Sequence, residues 1–241
     1  MLEMIHLLIN WMNSKLIMRV IILNTTLSLF LGVLGSLSHA HATKSKNINQ
    51  IDSLFNIVKM STVLSKDSLI SPYNYLLTQP LMTTTLEKYY QRTSRIKVIT
   101  AFTNPHNNTY SRIIILYVDR NKKRNNVDLA QKKNEIIPVE LAAININFEV
   151  LPEKLITDIT NTNIPFGKLL TQYHLKVFSK DRRYFSVACN NMLASLIHCK
   201  PNKKLYGRTN VLARVDNKKW VAHVIEILSD EKEVKHRLRL N

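Results

Sequence analysis

Glu226 is a lone acid inside an apolar, β-prone run, Trp220-Val-Ala-His-Val-Ile-Glu226-Ile-Leu228, and the segment before it carries two arginines, Arg208 and Arg214. The run over 219–228 reads as a half-buried strand. An ionised carboxylate there is costly unless a cation or a hydrogen-bond donor meets it. An acid beside cations on a rigid strand can hold a small anion or move a proton; the same residues also make a structural ion pair across a hairpin. Register decides which arginine meets the acid. A three-residue loop at 216–218 sets Arg208 directly opposite Glu226 with Arg214 on the same face, whereas a two-residue loop at 217–218 turns both arginines to the other face. A third arginine, Arg112, heads the aliphatic run Ile113-Ile-Ile-Leu116. Its planar fork can grip a carboxylate through two parallel bonds, which a lysine cannot copy. Without a ligand it would be a strand-edge arginine in solvent.

Two further segments complete a series. Residues 75–87 run Tyr-Leu-Leu-Thr-Gln-Pro-Leu-Met82-Thr83-Thr-Thr-Leu86-Glu87, and residues 164–170 run Ile-Pro165-Phe166-Gly167-Lys-Leu-Leu. In order with the Arg112 and Glu226 strands, they resemble the chorismate pyruvate-lyase family over roughly residues 68–228, and most of all its plastid-encoded branch in red algae. The resemblance implies a cofactor-independent lyase that cleaves chorismate to 4-hydroxybenzoate and pyruvate for quinone synthesis, acting in a plastid as a monomer on a small-molecule substrate. Glu226 matches the family's catalytic glutamate. Protonated, it would donate to the departing ether oxygen; ionised, it would hold the 4-hydroxyl of product. Arg112 and the backbone of Phe166 and Gly167 match the carboxylate site, and Met82 and Thr83 match the ring site. Counting back from Glu226, Arg214 is the better ungapped match to the family's second arginine; Arg208, after Gly207, comes next. Ala142-Ala143-Ile144 stands where the bacterial pattern has Gly-Arg, so one basic contact is missing. Two alternatives use the same fold: a sensory domain of the kind found in bacterial transcription regulators, for which residues 1–65 supply no winged helix, and a catalytically degenerate binder of small aromatic acids.

Composition narrows the classes. The chain has 241 residues, a formal charge of +17 and a sequence pI near 9.9. Its basic residues are spread through loops, with no long basic helix and no interleaved aromatics to stack bases, so no nucleic-acid partner is expected. Cys189 and Cys199 lack the second pair of a zinc ribbon and read as two buried thiols, a disulfide needing an oxidising compartment. No phosphate loop or dinucleotide fingerprint is present, and neither cofactor nor metal is expected.

Residues 16–37 form the one long apolar stretch, preceded by Lys15 and followed by Ala40-His41-Ala42. This is compatible with a cleaved leader, a membrane anchor or export through 16–42, or a start of translation as far in as Met60. The expected organisation is a hydrophobic leader at 1–45, a linker with a short helix at 46–67, the lyase-like domain at 68–229 and a charged tail at 230–241. Helices are expected over Asn49–Met60, Thr83–Gln91 with Thr83 as cap, Pro152–Ile159 and Pro165–Leu170. Strands are expected at 95–103, 111–119, 139–150, 172–178, 183–189, 209–215 and 219–228, with 119–135 as a solvated hairpin tip. Short polar loops between strands favour antiparallel pairing. The class is therefore α+β: an antiparallel β-sheet with helices packed on one side and helix-loop flaps over an internal ligand site.

Overall fold

The computed structural model describes Leu54 and residues 56–239; the leader and the start of the helix expected from Asn49 lie outside the described residues. Seven strands form one antiparallel sheet: β1 (Thr62–Leu64), β2 (Ser94–Asn104), β3 (Thr109–Asp119), β4 (Ile136–Asn147), β5 (Val177–Ala188), β6 (Lys204–Arg214) and β7 (Trp220–Leu228), in the order β1-β5-β6-β7-β4-β3-β2. Helices among the described residues include α1 (Tyr73–Leu76), α2 (Met82–Tyr90), α3 (Val127–Lys132), α4 (Glu153–Asn161), α5 (Phe166–Gln172), α6 (Asn191–Ile197) and α7 (Glu231–Arg239). The class is α+β, as expected.

β3 is buried at every position, which explains why Ile113-Ile-Ile-Leu116 shows no polar alternation. A central strand covered on both faces needs apolar residues at odd and even positions alike. Period-two geometry then sorts them. Ile114, Leu116, Ala142, Ile146, Leu212 and Val224 share one core with Tyr73, Leu86, Leu155, Leu169 and Val234 from α1, α2, α4, α5 and α7. These helices lie on one side of the sheet. Ile113, Ile115, Leu141 and Ile225 alternate with that set and are buried on the other face, where the short α3 and α6 pack on β3 and β4.

Several expectations are corrected. The two strands placed at 172–178 and 183–189 are one, β5, interrupted by an irregularity between Lys180 and Arg183. β4 ends at Asn147 and a 3₁₀ turn follows at Phe148–Val150. The 119–135 segment is no solvated tip. Arg124 joins Asp119 and Glu135, each at 2.6 Å, and α3 buries Val127 and Ala130 beneath it. Cys189 and Cys199 are joined in a disulfide across α6, with Cα atoms 6.1 Å apart. The chain reversal between β5 and β6 returns the end of α6 to its start, so two distant thiols in sequence become neighbours. Closing a loop of that length is worth about 3 kcal/mol through the unfolded state. Cys199→Ser should lower unfolding free energy by that order in urea titration, and reductant should do the same to the parent; unchanged midpoints would show that the bond contributes nothing.

Candidate functional site

β3, β4, β7 and β6 lie side by side, and their even-numbered residues face one cleft. Arg112, Ile114 and Leu116 come from β3; Glu140, Ala142 and Ile144 from β4; Val224 and Glu226 from β7; Arg208, Asn210 and Leu212 from β6. The opposite wall is Pro80–Thr83 at the start of α2 and Pro165–Gly167 at the start of α5. The cleft holds about 510 Å³ of empty space, its open mouth included.

At the β6–β7 end, Arg208 stands directly across from Glu226 and its Nε donates to Glu226 Oε2. Beside this pair, Gly207 leaves space for the Glu226 carbonyl and the Phe185 ring, since a Cβ there would sit 2.5 Å from each. Arg208 Nη1 donates to the carbonyl of Leu77 at 2.8 Å and to that of Gln79, and Arg182 donates to the carbonyl of Thr78 between them. Arg208 is 1% exposed and Glu226 7% exposed, so neither could be left unpaired at low cost.

Arg214 is not in the cleft, which corrects the ungapped match. It shares the strand parity of Arg208 but lies six residues further along β6, roughly 20 Å away. Its guanidinium holds Asp216 and the carbonyl of Val150 at the hairpin end. The register is the one a three-residue loop gives around Arg208, with an irregularity between Leu212 and Ala213.

Glu140 is the residue that sequence reading missed. It lies 3% exposed on β4, two residues from Ala142, which pairs with Glu226, and its carboxyl is within hydrogen-bonding reach of the Glu226 carboxylate. Burial first, then the negative charge of Glu226, pushes the Glu140 carboxyl well above the usual carboxylate range, against the pull of Arg208. Beside a carboxylate and out of water, the neutral form of Glu140 is favoured. The signal was there: Glu140 is an acid in an apolar strand run, as Glu226 is. Asn210, also unforeseen, has its buried Oδ1 without a hydrogen-bond partner.

At the β3 end, Arg112 is 1% exposed and donates from Nη1 to the carbonyl of Ile159 at 2.9 Å. Its Nε and Nη2 are buried with no partner. Burial lowers the guanidinium's pKa; Tyr110, on the same face of β3, opposes this without completing a hydrogen bond to either nitrogen. Arginine nevertheless keeps its charge in proteins. Two helix starts lie close by in the wall. α5 follows Pro165 and α2 follows Leu81, and neither start has a side-chain cap, so Thr83 is not the cap expected of it. The first-turn amides of each helix, Phe166 and Gly167 in α5, Met82 and Thr83 in α2, therefore have no acceptor within their helix. The α3 and α6 starts, by contrast, are capped by Asn126 and Asn190.

Arg112 and Glu226 are separated by two strand spacings and two residues, roughly 12 Å between Cα atoms. Their long side chains face a common space whose middle is apolar, lined by Ile114, Ala142, Ile144, Leu212 and Phe166. The arrangement is a cation at one end, a pair of carboxyl groups at the other and an apolar lining between. Among the described residues no group of His, Cys, Asp and Glu is placed to hold a metal ion, and no helix is long and apolar enough to cross a membrane.

No family model and no curated protein matches the chain. Solved structures similar to it include gene product SA0254 of Staphylococcus aureus, at 13% identity and TM-score 0.43 over 65% of this chain and 92% of that one. The effector domain of PhnF from Mycobacterium smegmatis is similar at 7% identity and TM-score 0.43, over 64% and 90%. A GntR-family transcriptional regulator from Enterococcus faecalis is similar at 14% identity and TM-score 0.38, over 56% and 92%. Likenesses this distant leave any functional reading to rest on the cleft itself.

Proposed function

We propose that this chain is a small-molecule-binding domain whose ligand is a flat ring carboxylate, with 4-hydroxybenzoate as the model compound. Arg112 carries the reading. A guanidinium buried with Nε and Nη2 unsatisfied costs free energy in the empty protein. A carboxylate accepting from both would remove that cost, and the uncapped amides at the starts of α2 and α5 are suited to the same anion. The ring would lie between Ile114, Ala142 and Phe166, and a hydroxyl at its far end would meet Glu140, Glu226 and Asn210.

Cleavage of chorismate is the second reading, favoured by Glu140. A carboxyl that holds its proton beside a carboxylate is the pairing a general acid needs to protonate a departing ether oxygen. It ranks second because chorismate carries two carboxylates. Arg112 could take one, but Arg208 is already engaged by Glu226 and two backbone carbonyls, and no further cation lines the cleft.

The test is calorimetric titration of the full chain with 4-hydroxybenzoate, alongside thermal unfolding in its presence. Saturable binding is expected, with stabilisation of about 2.7 kcal/mol at one hundred times Kd. No heat and no shift in Tm would overturn the reading. Prolonged incubation with chorismate, followed for 4-hydroxybenzoate and pyruvate, decides between binding and turnover.

A further inference from the structure

Glu140 has a setting that an ion-pair role does not explain. Its cross-strand neighbours are Leu116 on β3 and Leu228 on β7, both buried. Arg208 spends its Nε on Glu226 and its Nη1 on the carbonyls of Leu77 and Gln79. Among the elements packed around β4, α6 has no ionisable residue; α7 carries Lys232, His236 and Arg237 besides Lys235, which pairs with Glu231, and its Glu233 pairs with Lys200; α3 carries Asp128 and Lys132; on α2, Glu87 pairs with Lys168; on β3, Asp119 pairs with Arg124; none of these acts on Glu140. Arg112 stands at the other end of the cleft. The charges acting on Glu140 are those of Glu226 and Arg208.

We propose that Glu140 is a specificity residue: it gives this end of the cleft a second carboxyl without a second cation, so the site accepts a ring with one negative charge, seated at Arg112, and an uncharged hydrogen-bonding substituent opposite, and turns away rings that carry a second negative charge. The proposal rests on the binding reading above and extends it to the charge of the ligand. With its proton in place, Glu140 sums to zero with Glu226 and Arg208, and Arg112 leaves the cleft one unit positive, the complement of a monoanion. The proton can be donated to an oxygen of the substituent, and Asn210 Oδ1 and the Glu226 carboxylate can accept from it. A second carboxylate would instead face the Glu226 carboxylate, with Arg208 already engaged and no other cation lining this end of the cleft.

Ionisation of Glu140 would cancel the net positive charge and weaken monoanion binding as pH rises. The same group affects folding with a definite sign. Its folded pKa lies above its unfolded value, so the unfolded chain releases the proton first. Glu140's contribution to stability is then complete below the unfolded value and is lost as pH climbs toward the folded one.

The experiment compares 4-(hydroxymethyl)benzoate with terephthalate, rings of nearly equal size that differ in the charge of the para group. Titrating the full chain and Glu140→Gln at a series of pH values from near neutral upward follows the parent as Glu140 loses its proton. For the parent at the acid end, the hydroxymethyl compound should bind at least about 10-fold tighter than terephthalate, since like-charge juxtaposition is strongly unfavourable. Its affinity should fall as pH rises, whereas in Glu140→Gln, which cannot ionise, it should stay level. Urea unfolding of the ligand-free variant should lose less stability with rising pH than the parent does. Equal binding of terephthalate, or identical pH profiles for parent and variant, would overturn the assignment while leaving carboxylate binding intact. Failure of both compounds to bind the parent would overturn the binding reading and this one together. If the variant does not fold, the ratio of the two compounds on the parent still decides.

Discussion

Arg208→Leu should be the most damaging single substitution in the sheet, lowering unfolding free energy by about 3–5 kcal/mol, the range for breaking a buried pair from one side. For a domain of this size that is a fall in Tm of roughly 10 °C. Glu226 and Glu140 would be left beside each other with no cation, and the carbonyls of Leu77 and Gln79 would lose their donor. Arg208→Leu with Glu226→Leu should recover part of the loss, since a buried pair can be replaced by apolar residues at little cost, but not the part owed to the two carbonyls. Urea unfolding of parent, single and double variants at one pH measures each share. A loss below about 1 kcal/mol for Arg208→Leu would place this arginine among solvated ion pairs and remove it from the base of the cleft.

At Arg112, binding and stability should move in opposite directions. Arg112→Met removes a buried charge whose Nε and Nη2 have no partner, so ligand-free protein should be as stable as the parent or more so. Binding of 4-hydroxybenzoate should vanish. Arg112→Lys keeps the charge but loses the two-pronged geometry. It should weaken binding by about 1.5–3 kcal/mol, roughly 10- to 150-fold. A scaffold arginine would behave otherwise: both substitutions would lower Tm, and affinity would follow only through the folded fraction. Calorimetry and thermal unfolding on the same preparations separate the two cases, and equal affinity in parent and Arg112→Lys would remove Arg112 from the ligand site.

How far the sequence could be read depended on the range of the forces involved. Elements set by local pattern were legible. Leu86 and Tyr90 at helical spacing mark α2, and the apolar run around Glu226 marks β7. The grouping of Arg112, Glu226, Phe166, Gly167, Met82 and Thr83 along one cleft came from ordered motifs, each weak alone. What was missed depends on pairing. Arg208 and Arg214 share a face in this register, so the choice between them turned on position along β6, which an ungapped count back from Glu226 does not give. Attention to the absent Gly-Arg at 142–144 hid Glu140 two residues earlier. The short α3 and α6 had legible starts in Asn126 and Asn190, each capping an apolar turn, but six or seven residues give too little periodicity to stand out against loops. The disulfide was illegible because a separation of ten residues says nothing of where a reversal ends.

The arginine bonds beneath the start of α2 also bear on motion. Three successive carbonyls, Leu77, Thr78 and Gln79, are held by guanidinium groups from β5 and β6, so this rim of the cleft is strapped to the sheet. The α5 rim is held by core packing of Phe166, Leu169 and Leu170, and its ion pair to α2, Lys168–Glu87 at 3.3 Å, is partly exposed. Of the two rims, the strapped one is therefore expected to move less when a ligand enters or leaves the cleft.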